Sequence, residues 1–131
     1  DNTNMPMVVL TGGEPSLQAD EALIDALHAA GFAFIAMESN GTHEPPRGID
    51  WLTVSPKEHP VVTHCSELKV LFDNVQPVST HGITAEHYFL QPLDTGDTTK
   101  NHTILAHCVD YLLTHPQWRM SLQTHKLMGI R

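Results

Sequence analysis

The run Thr11-Gly12-Gly13-Glu14-Pro15 follows directly on an apolar stretch, Pro6-Met7-Val8-Val9-Leu10. It sets a carboxylate and a side-chain-free backbone edge at the end of an expected buried strand. Two adjacent glycines let the backbone approach a ligand as closely as Cα hydrogens permit, and they accept φ values closed to other residues. Glu14 offers a fixed acceptor for an ammonium or hydroxyl group, and Pro15 stiffens the exit from the loop. In α/β proteins ligands gather at the carboxyl ends of the strands, which makes this a candidate binding loop. By themselves the five residues suit a tight strand-to-helix turn equally well.

Four more polar clusters sit after apolar runs: Glu38-Ser39-Asn40-Gly41-Thr42, Ser55-Pro56-Lys57, Gln91-Pro92-Leu93-Asp94 and Gln123-Thr124-His125-Lys126. Plain turns would carry more Gly-Asp or Asn-Gly and fewer Glu, Gln, Lys and His.

The elements that must position these clusters are readable from periodicity. Val8 to Leu10 and Phe32 to Met37 are continuous apolar runs, suited to strands buried on both faces. Between them, Leu23, Ile24, Leu27 and Ala30 recur at helical spacing over 18–30, and Gly31 follows where helices commonly end. Trp51 to Val54, Leu68 to Phe72 and Tyr88 to Leu90 read as short strands. The joining segments are weakly periodic, so helices there are expected to be short or missing. A second helix is expected over Lys100 to His115, capped by Thr98 or Thr99. Its apolar face is Ile104, Leu105, Cys108, Val109, Leu112 and Leu113, and Pro116 closes it. Arg119 to Gln123 suits a last strand. Alternating strands and crossovers imply an α/β fold with a mainly parallel sheet, in one domain over 1–131.

Composition narrows the partners. The chain has 131 residues, 40% apolar and 17% charged, as an ordinary globular domain does. Fifteen acidic residues against seven basic ones give a formal charge of −8, which argues against a nucleic-acid backbone as partner. No apolar run reaches the roughly 18 residues a membrane span needs, and no signal peptide is evident. Two cysteines, Cys65 and Cys108, are too few for a disulfide framework, so a cytoplasmic, reducing setting is expected.

With the clusters in order, the chain resembles radical S-adenosylmethionine enzymes, and more narrowly the 7-carboxy-7-deazaguanine synthase family of the queuosine pathway. Gly12-Gly13-Glu14-Pro15 is shared by many radical enzymes. More specific are Asp50-Trp51-Leu52-Thr53-Val54-Ser55-Pro56-Lys57, Glu67-Leu68-Lys69-Val70 and the ending Trp118-Arg119-Met120-Ser121-Leu122-Gln123-Thr124-His125-Lys126. The resemblance implies a (β/α)6-type barrel that converts 6-carboxy-5,6,7,8-tetrahydropterin to 7-carboxy-7-deazaguanine with S-adenosylmethionine, a [4Fe–4S] cluster and Mg²⁺. It implies that Gly13 and Glu14 meet the methionine end of the cofactor. Ser55, Pro56 and Lys57 would line the ribose and adenosine side, and Gln91, Pro92, Leu93 and Asp94 the adenine wall. Thr11 and His125 would contact the pterin, and the carboxylate of Arg131 would close the pocket.

The family's C-x3-C-x2-C cluster run, its magnesium-binding Thr and its N-terminal pterin-binding segment with Arg have no counterpart here. The chain starts at Asp1 without an initiator Met, and the expectation is a C-terminal portion of a barrel lacking its first strand and cluster loop, inactive by itself. A raw sheet edge leads to an expected homodimer. Two rivals differ in class. One is a non-catalytic module that binds S-adenosylmethionine or pterin without a cluster. The other is a zinc hydrolase built on His59, His64 and Cys65 or on His102, His107 and Cys108, whose spacing is poor for one helix face. Cys108 is expected to be a buried inert thiol, Cys65 an exposed one in a polar loop, and most of the ten histidines exposed.

Overall fold

A computed structural model describes residues 6–11, 20–57 and 59–121. Its elements run β1 (Met7–Leu10), α1 (Glu21–Ala29), β2 (Phe34–Ser39), β3 (Trp51–Val54), β4 (His64–Phe72), β5 (Thr84–Pro92), α2 (Thr98–Thr114) and β6 (Trp118–Met120). The six strands form one sheet in the order β1-β2-β3-β4-β5-β6, and every neighbouring pair is parallel. The mainly parallel sheet of the sequence reading is thus wholly parallel among the described residues. Its order never reverses, so right-handed crossovers place α1 and α2 on the same face.

That face holds the core. Leu68 and Leu90 on neighbouring strands are fully buried, as are Met37 and Val54, and Ile104 and Cys108 of α2 join them. Val70 pairs with Leu90, and Leu90 with Met120, so the apolar residues of β4, β5 and β6 lie side by side under α2. Successive side chains alternate across a sheet. Glu67, Lys69, His87, Phe89 and Arg119 therefore fall on the opposite face, where no described helix packs.

Several bounds differ from the periodicity. β4 begins at His64 and β5 at Thr84, earlier than expected, because His64, Ser66, Thr84 and Glu86 are polar and so break the apolar run without breaking the ladder. Gln91 and Pro92 close β5, paired with Leu71 and Phe72, where a loop was expected. β6 starts at Trp118, which is buried against Tyr88 at a ring-centroid distance of 5.3 Å.

Helix ends follow side-chain chemistry. Asp20 caps α1, its Oδ1 accepting from the Leu23 amide at 2.8 Å. Gly31, just beyond, has φ +106°, a left-handed value that a Cβ would oppose. The cap of α2 is Asp97 and not Thr98 or Thr99: its Oδ1 accepts from the Lys100 amide at 3.1 Å. A carboxylate accepts more strongly than a hydroxyl at the positive end of a helix.

Two substitutions test this construction in urea unfolding. Leu68→Ala, at the centre of the sheet, is expected to cost about 3 kcal/mol, and Asp97→Ala about 1 kcal/mol with the sheet intact.

Candidate functional site

The carboxyl ends of β2 and β3 are tied into one loop system by backbone bonds. The Ser55 amide donates to the Ser39 carbonyl at 2.9 Å and the Lys57 amide to the Asn40 carbonyl at 3.1 Å. Gly41 is the junction: its carbonyl accepts from the Val61 amide at 2.8 Å, and its own amide donates to Ser39 Oγ at 3.0 Å. With φ +80° and the place of a Cβ only 3.2 Å from Pro60 Cβ and Val54 Cγ1, Gly41 admits no side chain without strain. Asn40 organises the turn, its Oδ1 accepting from the Thr42 amide at 3.0 Å and from Thr42 Oγ1 at 2.6 Å. Ser55 and Lys57 stay exposed on this frame, and Pro56 is half-buried.

Gln91 to Asp94 end β5, two strands away from Ser55 to Lys57, or about 10 Å at the usual strand spacing. Gln91 falls on the helix-free face by register with Leu71, while Leu93 packs on the core and its amide donates to the Phe72 carbonyl at 2.9 Å. Asp94 Oδ1 accepts from the Gly96 amide at 2.9 Å and from Asn101 Nδ2 at 2.9 Å, so it braces the entry to α2. Thr11 is exposed at the end of β1. Gly13, Glu14, His125 and Arg131 lie outside the described residues.

Register assembles further polar groups on the helix-free face. Glu38 pairs with Thr53, Thr53 with Glu67 and Glu67 with His87, making one row across four strands. The next row toward the strand ends is Lys69, Phe89 and Arg119. Lys69 Nζ lies 3.7 Å from Glu67 Oε2. The His87 ring stacks on Trp51 with centroids 5.6 Å apart. Strand alternation was the one sequence signal for these groups, and it was visible at Glu67 and Lys69; Thr53, Trp51 and His87 need the register to meet.

Cysteine and histidine chemistry is quieter. Contrary to the exposed loop expected, Cys65 is the second residue of β4 and 2% exposed, because pairing with Ala85 draws it into the sheet. Burial pushes its thiol up to about 11. Burial also raises Cys108, which is fully enclosed on the core side of α2. The two cysteines are buried on different elements, and Cys65 lies at the end of β4 away from the polar clusters, so these residues do not fit a [4Fe–4S] cluster. Among the described residues no three His, Cys, Asp or Glu side chains are grouped to hold a metal ion. All nine described histidines are exposed.

His28 does structural work. Its Nδ1 lies 2.9 Å from the Phe32 carbonyl and its Nε2 3.1 Å from the Gly48 carbonyl. Carbonyls only accept, so both bonds form together only when the ring is doubly protonated. The Gly48 bond chiefly raises its pKa, helped by Phe32 and by the charges of Asp50 and Asp25, against some desolvation.

No protein-family model matches the chain. Among curated proteins it is 53% identical over 127 residues to a 7-carboxy-7-deazaguanine synthase of Bordetella pertussis, covering 94% of this chain and 59% of that protein. It is 47% identical to one of Bacteroides thetaiotaomicron, covering 95% and 65%. It is 30% identical to one of Prochlorococcus marinus, covering 95% and 68%. The chain thus spans about three-fifths of the length of several such relatives.

Two measurements probe this chemistry. At about pH 8 neither thiol is expected to react with a disulfide reagent until the protein is unfolded, because burial disfavours both thiolates. Because the folded pKa of His28 is raised, its stabilisation is full below the unfolded value of about 6.5 and is lost as pH rises through the folded value. The unfolding midpoint of the wild type is therefore expected to fall toward that of His28→Ala on going to mildly alkaline pH.

Proposed function

The chain belongs to the 7-carboxy-7-deazaguanine synthase family, and from that premise we propose that it forms the cofactor and substrate wall of a radical S-adenosylmethionine lyase. The reaction converts 6-carboxy-5,6,7,8-tetrahydropterin to 7-carboxy-7-deazaguanine in queuosine and 7-deazapurine biosynthesis. The observation that carries this reading is the identity of 45–53% to several such synthases over nearly the whole chain.

S-adenosylmethionine is to lie along the carboxyl ends of the strands. The tied loop of β2 and β3 presents Ser55, Pro56 and Lys57 to its ribose and adenosine side, and Gln91, Pro92 and Leu93 form the adenine wall, with Asp94 bracing that wall from behind. Gly13 and Glu14 receive the methionine end. Thr11, His125 and the terminal carboxylate of Arg131 hold the pterin. A hydroxyl, an amide and an ammonium form a donor set that suits a nucleoside and a flat, polar heterocycle. The cofactor supplies the radical chemistry, and these residues bind, orient and exclude water.

The [4Fe–4S] cluster and Mg²⁺ of the reaction are to be held outside these 131 residues, which contain no three-cysteine run. The strands are read as part of a (β/α)6-type barrel, in a single domain over 1–131. A cytoplasmic homodimer fits two features. No helix among the described residues is long and apolar enough to cross a membrane, and Met7 and Val9 of edge strand β1 are 57% and 43% exposed. The second reading, a binding module without redox chemistry, is favoured by the two buried cysteines.

Calorimetry and complementation separate these readings. The purified protein is expected to bind S-adenosylmethionine with one-to-one stoichiometry, more weakly by about tenfold in Ser55→Ala or Lys57→Ala. The gene that encodes it is expected to restore queuosine to a strain lacking its own synthase. Binding without restoration would select the binding module, and no binding would remove both. Light scattering is expected to give twice the protomer mass.

A further inference from the structure

Glu67-Leu68-Lys69-Val70 serves the fold through Leu68 and Val70, which are buried beneath the helices. Its two charges serve nothing in that core. Glu67 and Lys69 lie on the other face with side chains only 19% and 31% exposed. Half-shielded Lys and Glu are uncommon unless paired, and one ion pair at 3.7 Å contributes little net stability. Among the described residues Lys69 Nζ has this one charged neighbour and no hydrogen-bond acceptor, so its donors remain available.

Its place in the sheet is specific. Thr53 pairs with Glu67 and Val54 with Leu68, so one further step brings Ser55 level with Lys69. On the other side Lys69 pairs with Phe89, and Phe89 with Arg119. Lys69 thus stands near the carboxyl end of β4, between the Ser55 loop and an aromatic side chain that is half-buried. Glu67 sits one row deeper and holds the ammonium from below.

We infer that Lys69, oriented by Glu67, is the cation that receives a ligand carboxylate on the helix-free face, with Phe89 beside it as a surface for a flat ring. This rests on the function proposed above, which supplies two carboxylates: that of the pterin and that of the methionyl group of the cofactor. An ammonium partly shielded from water makes a stronger charge-assisted bond than an exposed one, and for that reason Lys69 is assigned the role before exposed Lys57 or Arg119. Glu67 is a positioning residue.

The test is calorimetric titration of the purified wild type, Lys69→Met, Lys69→Arg and Glu67→Gln. Four ligands are used: 6-carboxytetrahydropterin, the same pterin without its carboxyl group, S-adenosylmethionine, and its decarboxylated form. Lys69→Met keeps the apolar stem and Lys69→Arg keeps the charge, so at least one remains folded, as matching thermal midpoints would show. Lys69→Met is expected to weaken one carboxylated ligand by about tenfold or more and leave its decarboxylated partner unchanged. Loss within the pterin pair assigns the substrate carboxylate, and loss within the other pair assigns the cofactor's. Lys69→Arg should retain most of the affinity, and Glu67→Gln should show a smaller loss with the same dependence on the carboxylate. Equal binding of all four ligands by Lys69→Met and wild type overturns the inference alone, as does an equal loss for carboxylated and decarboxylated forms. A wild type that binds none of the four removes the proposed function, and the inference with it.

Discussion

The alternation along β4 is the constraint on which the rest of the structure depends. Leu68, Val70 and Phe72 enter the core under the helices, while Glu67 and Lys69 face away from it. A slip of one residue against β3 or β5 would exchange these sets, burying two charges and exposing three apolar side chains. No neighbouring strand could compensate. The pairing of β4 with β5, in one register from His64 and Thr84 to Phe72 and Pro92, therefore fixes both the packing of α2 and the rows of polar groups opposite.

That single register has two products. On one side it builds a core that runs from Met37 through Leu68 and Leu90 to Cys108 and Trp118. On the other it lines up Glu38, Thr53, Glu67 and His87 from four strands that are distant in sequence. At the carboxyl ends, backbone bonds from Ser55 and Lys57 to Ser39 and Asn40 convert two loops into one frame. These bonds consume main-chain donors and leave the side chains of Ser55 and Lys57 toward solvent. A frame of that kind holds a ligand without having to reorganise, because the ordering entropy of the loop is already offset by folding. Gly41 is where this frame is least tolerant, since its carbonyl and amide are both engaged and its flanks are filled.

Much of the fold was legible in the chain. Apolar runs announced β1 to β5 and helical spacing announced α1 and α2, while the last strand expected over Arg119 to Gln123 meets β6 at Arg119 and Met120. The ends were less legible. Polar residues at the starts of β4 and β5 masked strands that are paired through their backbones. Asp97 took the cap from Thr98 and Thr99 because the better acceptor stood one residue earlier. Cys65 read as a loop thiol because its neighbours His64 and Ser66 are polar, and only the ladder with β5 reveals its burial.

The sequence by itself determined the order and type of the elements, the position of polar clusters after apolar runs, and the family. All three are local: they depend on side-chain period, on turn chemistry and on short stretches such as Ser55-Pro56-Lys57. The tertiary structure alone decided which clusters meet. It joined Ser39 to Ser55 and Asn40 to Lys57, and set Trp51 against His87 across an intervening strand. Such meetings are fixed by strand register and chain reversal, which act over long sequence separations and leave no mark in the spacing of the residues they bring together.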